Sequence, residues 1–343
     1  VAGGTSDAVC ANYDAAMPGL PKIELHVHLD CAASHAAVAR LRPEITLEQY
    51  RADFVAPAKC TNLVDFLLRP PRIVALMQDR HGLETIVADL FDQLAQDGVV
   101  YAEPRFAPHL HTEAGLEPAE VVEIVNAAVE QASADSGVPA RLILCTLRHY
   151  DAATSLETAQ LVERFRGSLV VALDIAGDEA GHPLDAHVEA FRYAEEHGLR
   201  RTAHAGEAAG AASVWETLRR LRPERIGHGA RSIEDPDLVE HLIATGVHLE
   251  VCPSSNVQTN LCDTYADHPI DALHRRGVSL GVNTDGRAIT DITLEREYGR
   301  LRETFGWTDD DLIACNLAAL EASFAPPDLQ AEIRARIDAH VPA

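Results

Sequence analysis

The sequence predicts an α/β fold, a (β/α)8 TIM barrel with extra helices inserted after strand 1, on three observations. Eight short apolar runs recur, each followed by a polar or glycine-bearing turn and then a helical pattern. The ionisable residues of these runs gather at their C-terminal ends, where barrel enzymes build their active sites. The 343 residues, 47% hydrophobic, hold no linker rich in Pro, Gly or Ser, so they read as one domain of a length such barrels reach. A doubly wound open sheet is the structural alternative, but eight units in register suit closure better.

Run one, KIELHVHLD (22–30), alternates strictly. Ile23, Leu25, Val27 and Leu29 are apolar; Glu24, His26, His28 and Asp30 are ionisable. Period two predicts a strand with one apolar and one polar face. Residues 31–98 exceed a simple crossover and are expected to hold several helices forming a lid, DFVAPAKCTNLVDFLL (53–68) included. Run two (99–108) brings Glu103 and Arg105 and precedes a helical pattern over 119–137. Run three spans 140–148, and run four (169–177) closes on Asp174 and Gly177 before a helix over 185–198. Run five, RTAHAGE (201–207), ends on His204 and Glu207, followed by a helix over 213–221. Run six (225–230) carries His228. The next segment, DPDLVEHLIATG (235–246), has an Asp N-cap, Pro at the first turn and Gly at the end. Run seven (248–256) closes on Ser254, Ser255 and Asn256, and run eight (278–286) on Asp285. Residues 1–19 form an N-terminal extension to the barrel.

Composition narrows the function. Lys and Arg total 29 against 53 Asp and Glu, a formal charge of −24. Nucleic acid and anionic membrane are therefore poor partners, because phosphate binding needs a basic footprint. No apolar run is long enough to span a bilayer, and VAGGTSDAVC lacks the pattern of a signal peptide. Seven scattered cysteines, none spaced C-x-x-C, fit a reduced cytoplasmic enzyme. Nothing in the pattern sets an oligomeric state.

Ionisable groups at the end of a packed barrel cost several kcal/mol unless they are paired or bind a metal. His26 and His28 on one strand face place two imidazoles side by side. A third His and a carboxylate from other strands would complete a zinc shell with room for water. His81, His187, His197 and His274 read as surface or packing residues, while His109 and His111 stand near the mouth.

PKIELHVHLD, GVVYAEPRFAPH, DIAGDE, HAGE, RIGHG, EVCPSSN and NTDG occur in this order. With these motifs the chain resembles the adenosine deaminase family of the amidohydrolase superfamily over nearly its whole length. The resemblance implies one zinc ion per chain and hydrolytic removal of an amino group from a purine nucleoside. His26, His28, His204 and Asp285 would hold the zinc. Glu207 would protonate the purine N1, and His228 would orient and deprotonate the attacking water. Asp285 would also hydrogen-bond that water. Gly177 would meet N3 through its backbone amide, and Asp30 the ribose hydroxyls; His28 would also face the substrate.

Two positions depart from the family pattern. Cys31 stands where Gly usually follows HLD, and Gly286 stands where a second Asp usually contacts N7. The departures widen the substrate choice to 2′-deoxyadenosine, 5′-modified adenosines or 6-aminodeoxyfutalosine. A dinuclear relative with a carboxylated lysine is excluded, because Lys22 and Lys59 are the only lysines and neither ends run four. The cytidine-type zinc deaminase is excluded by the lack of P-C-x-x-C. A barrel that only binds nucleosides is the non-enzyme alternative, and it would have no use for the acid and base.

Overall fold

The computed structural model describes residues 19–340. The N-terminal extension lies outside the described residues, apart from residue 19. Eight parallel strands follow one another round the sheet in chain order. They are β1 (Lys22–His28), β2 (Val99–Phe106), β3 (Leu142–Leu147), β4 (Val170–Ala176), β5 (Arg200–Ala205), β6 (Arg225–His228), β7 (His248–Val251) and β8 (Leu280–Val282). The barrel closes where Val27 bridges Asp285 in parallel, with Asp285 N–H donating to His26 O and His28 N–H to Asp285 O. The seam of the barrel and the end of run one are thus the same place.

The helices form where their signals stand. Asp235 caps the helix Pro236–Thr245, its side chain accepting from Asp237 N–H, and Gly246 ends it in the left-handed region. Residues 31–98 fold into five short or medium helices, of which Leu63–Phe66 and Pro70–Val74 reach over the strand ends. One boundary differs from expectation. β7 stops at Val251, and Ser254, Ser255 and Asn256 lie on a short helix, Pro253–Gln258. Proline lacks the N–H a strand ladder needs and suits a helix's first turn.

Both faces of β1 are buried. Ile23 and Leu25 pack with Ile313 and Leu320 of the helix Asp309–Ala322. The alternate row faces a barrel interior filled with charge rather than branched apolar side chains. Arg105 pairs with Asp174 at 2.8 Å and Glu250 at 2.6 Å. Arg225 pairs with Glu250 at 2.7 Å and Glu103 at 2.6 Å. All five are essentially inaccessible. Groups so buried persist only because each charge meets an opposite one. Glu24 belongs to a second network. It accepts from Thr284 N–H and Oγ and pairs with Arg287, which also reaches Asp97. That network clamps the start of the chain after β8 to β1.

Candidate active site

The C-terminal ends of the strands open into a cavity of about 540 Å³. His28, Asp30, Gly177, His204, Glu207, His228 and Asp285 all line it. His26 lies just beneath, fully buried.

One nitrogen each from His26, His28 and His204, with one oxygen of Asp285, lie within 4.8 Å of one another. His28 Nε2 is 3.1 Å from His204 Nε2. Asp285 Oδ1 is 3.4 Å from His28 Nε2 and 3.5 Å from His26 Nε2. A tetrahedral ion with bonds of about 2.0–2.1 Å needs ligand atoms about 3.3 Å apart. His26 Nε2 is buried without a hydrogen-bond partner, a cost that metal ligation removes. The donor set therefore fits a four-coordinate divalent metal.

The far nitrogens of two of these rings are fixed. His26 Nδ1 meets Glu250 at 2.8 Å and His204 Nδ1 meets Asp174 at 3.2 Å. Arg105 bridges those two carboxylates, so one guanidinium sets the aim of two imidazoles. Burial alone would push both carboxyls up, but Arg105 and the histidines hold Glu250 and Asp174 below the usual carboxylate range. Gly227 makes room for the pair. A Cβ there would stand 3.0 Å from His26 Cε1 and 3.2 Å from the His204 ring.

The carboxylates that face the cavity divide into two kinds. Burial pushes the Glu207 carboxyl well up, and the charges of Asp285 and Glu179 push it further, favouring its protonated form. Burial also opposes the charge on Asp285, yet His26, His228 and His28 hold it well below the ordinary range. Ser255 donates to its free oxygen at 2.6 Å. Asp30 is pushed up to about 6, chiefly by burial. A carboxyl pushed up beside a carboxylate held down is the pairing that acid–base chemistry needs. His228 (φ 60°) and Asp285 (φ 63°) both adopt left-handed backbone conformations, costing of order 1–3 kcal/mol each. That strain turns two strand ends inward.

Glu207 follows β5 on a loop held from below by Glu179. This buried carboxylate accepts from the N–H groups of Gly206, Glu207, Ala208 and Ala209 and from Ser213 Oγ, at 2.6–3.1 Å. The DIAGDE motif carries no local sign of this task for its last residue, Glu179. Glu250, Arg225 and His268 were also missed. Arg148, unplaced from sequence, donates to His204 O. His109 lines the cavity, whereas His111 is buried away from it. The two departures from the family pattern touch: a Cβ on Gly286 would stand 3.1 Å from Cys31 Cβ.

A parallel eight-stranded barrel with this donor set at its strand ends fits the amidohydrolase type of metal-dependent hydrolase. The family model for adenosine deaminase matches residues 21–340. Adenosine deaminase 1 of Streptomyces coelicolor is 38% identical over 332 residues, spanning 90% of this chain and 83% of that protein. The adenosine deaminase of Mycobacterium tuberculosis is equally similar, at 38% over 90% of each chain. Among solved structures, adenine deaminase from Arthrobacter aurescens superposes with a TM-score of 0.86 at 28% identity, covering 93% of this chain and 98% of that one. An amidohydrolase from Burkholderia ambifaria with bound zinc shares the fold, with a TM-score of 0.85 at 24% identity over 93% of this chain and 90% of that one. The chain belongs to the adenosine deaminase family and is an aminohydrolase acting on C–N bonds. No helix among the described residues is long and apolar enough to cross a membrane.

Proposed function

We propose that the protein hydrolyses the 6-amino group of adenosine-type nucleosides, using one zinc ion held by His26, His28, His204 and Asp285. The observation that carries the reading is the position of Glu207, a carboxyl whose pKa is pushed well up, in the same cavity as His28, His204 and Asp285 and directly above His26. Zinc bound there supplies a hydroxide nucleophile near neutral pH.

The chain's own groups do the rest. Glu207 gives its proton to the purine N1, so that attack at C6 does not build negative charge on the ring. His228 and Asp285 both line the cavity where the attacking oxygen would stand. The Gly177 amide meets N3, and Asp30, at the cavity wall beside His28, meets the ribose. The proton of the added hydroxyl then passes to the amino nitrogen, the C6–N bond breaks, and ammonia leaves as C6 becomes a carbonyl.

The outer half of the cavity supports 5′-modified adenosines as substrates. Leu63, Phe66, Leu67, Pro70, Pro71 and Val74 give it an apolar wall on the 31–98 segment. Among the described residues no lysine or arginine lines it, while Glu113 and Asp178 do. A 5′-phosphate would find no guanidinium or ammonium, only the imidazoles of His109, His149 and His182 beside two carboxylates, whereas a 5′-thioether would bury its apolar group against the apolar wall. The test compares kcat/KM for adenosine, 5′-methylthioadenosine and adenosine 5′-monophosphate. The thioether should match or exceed adenosine, and the monophosphate should be poorest. Turnover of unmodified adenosine alone would refute the 5′ assignment, and fast turnover of the monophosphate would refute the cavity argument.

A further inference from the structure

Behind His228 runs a chain of three buried hydrogen bonds whose direction is set by a backbone amide. Ile270 N–H donates to His268 Nδ1 at 3.1 Å. A peptide N–H can only donate, so His268 Nδ1 accepts. His268 is buried, and burial pushes its pKa down to about 3, so the ring is neutral and its single proton sits on Nε2. That Nε2 lies 3.1 Å from the side-chain oxygen of Asn256. The Asn256 amide nitrogen then faces His228 Nδ1 at 3.0 Å and donates to it. Ring tautomers and amide orientations are ordinarily assigned from the network around them, and here the network starts at a group that has no alternative.

The consequence falls on the atom that faces the cavity. With Nδ1 accepting from Asn256, the proton of His228 sits on Nε2, which points into the site 3.7 Å from Glu207 Oε2. An imidazole in this state has no lone pair at Nε2 with which to take a proton. Protonating it there would require first moving its hydrogen to Nδ1, against the Asn256 amide hydrogens.

We propose that Asn256 and His268 are positioning residues that lock His228 in the Nε2–H tautomer, so that it donates a hydrogen bond to the attacking oxygen instead of serving as its base. The proposal rests on the deaminase reading above for the identity of that oxygen. It requires no proton transfer by His228. A water whose pKa a bound metal would lower to about 7 would need no base at His228, and the resulting hydroxide would need a hydrogen-bond donor. Nε2–H supplies one, and it orients the oxygen towards the ring carbon it attacks. This replaces the base role that resemblance to the family implies for His228.

The test is the tautomer itself. Zinc-loaded protein labelled with 15N-histidine is examined by long-range proton–nitrogen correlation, and the His228 signals are identified by their loss in His228→Gln. The proposal predicts a protonated-type Nε2 and an unprotonated-type Nδ1. The reverse pattern, or protons on both nitrogens, overturns it. This readout needs no substrate, so it fails or succeeds separately from the deaminase reading. A second variant, Asn256→Asp, offers His228 Nδ1 an acceptor in place of a donor. It should reverse the tautomer and lower kcat roughly 10²-fold, with bound zinc unchanged. Wild-type kcat in Asn256→Asp with a reversed tautomer would overturn the proposal.

Discussion

Replacing Glu179 by alanine should both destabilise the fold and slow turnover, although Glu179 reaches none of the reacting atoms. Its carboxylate is the shared acceptor for four successive backbone N–H groups and the Ser213 hydroxyl. Ala208 and Ala209 are half-buried, so water can replace the carboxylate for their amides. Gly206 and Glu207 are buried, and their amides would be left unmatched. A buried unsatisfied donor costs about 1–3 kcal/mol, so two cost about 2–6 kcal/mol. That is a large share of the roughly 5–15 kcal/mol by which domains are stable. Gly206 takes a left-handed φ of 72°, so the loop has no alternative regular structure to relax into. Urea unfolding at fixed zinc measures the stability, and kcat measured well below the melting range reports the aim of Glu207. A loss under about 1 kcal/mol together with unchanged kcat would refute the reasoning.

Four further outcomes follow from the same geometry. Arg105→Met removes the bridge between Asp174 and Glu250 and should weaken metal affinity by about 10–100-fold in chelator competition; unchanged affinity would show the bridge to be irrelevant. Glu207→Gln should cut kcat by roughly 10²–10⁴ at full metal content. Because the pKa of Glu207 is raised, its acid form persists to higher pH than an ordinary carboxyl's and is lost as pH rises through the folded value. Wild-type kcat should therefore decline on the alkaline side, and a steady rise into alkali would contradict this. Gly286→Asp meets Cys31 at 3.1 Å and should cost about 1–3 kcal/mol of stability, most of it recovered when paired with Cys31→Gly; strictly additive melting shifts would disprove the contact.

The strands were legible because each carries its own signal. Alternation marks β1, and turn residues punctuate the runs, so eight units and their polar ends could be read in order. The metal-ligating candidates were legible because His26 and His28 are local neighbours, while HAGE and NTDG end runs of their own. The interior charge network was not. Glu250 sits in HLEV and Arg225 opens RIGH, where each reads as a surface residue of a short strand. Their partners, Arg105 and Glu103, come from a strand far away in the chain. Glu24 was visible as an ionisable residue in the polar row, but its partner Arg287 lies beyond β8. His268 carries no local mark: its task depends on Asn256 across a loop and on a backbone amide two residues on. Ser254 to Asn256 were read as a strand end, although Pro253 ahead of them was the available signal for a helix turn.

The central claim is that this barrel deaminates adenosine-type nucleosides with a metal held by His26, His28, His204 and Asp285. The most direct test titrates zinc into metal-free protein while following adenosine by ultraviolet absorbance. The account predicts inosine and ammonia in equal amounts, at a rate that rises with added zinc and levels off at one ion per chain. A fully loaded protein that leaves both adenosine and 5′-methylthioadenosine unchanged, or a rate indifferent to zinc, would contradict it.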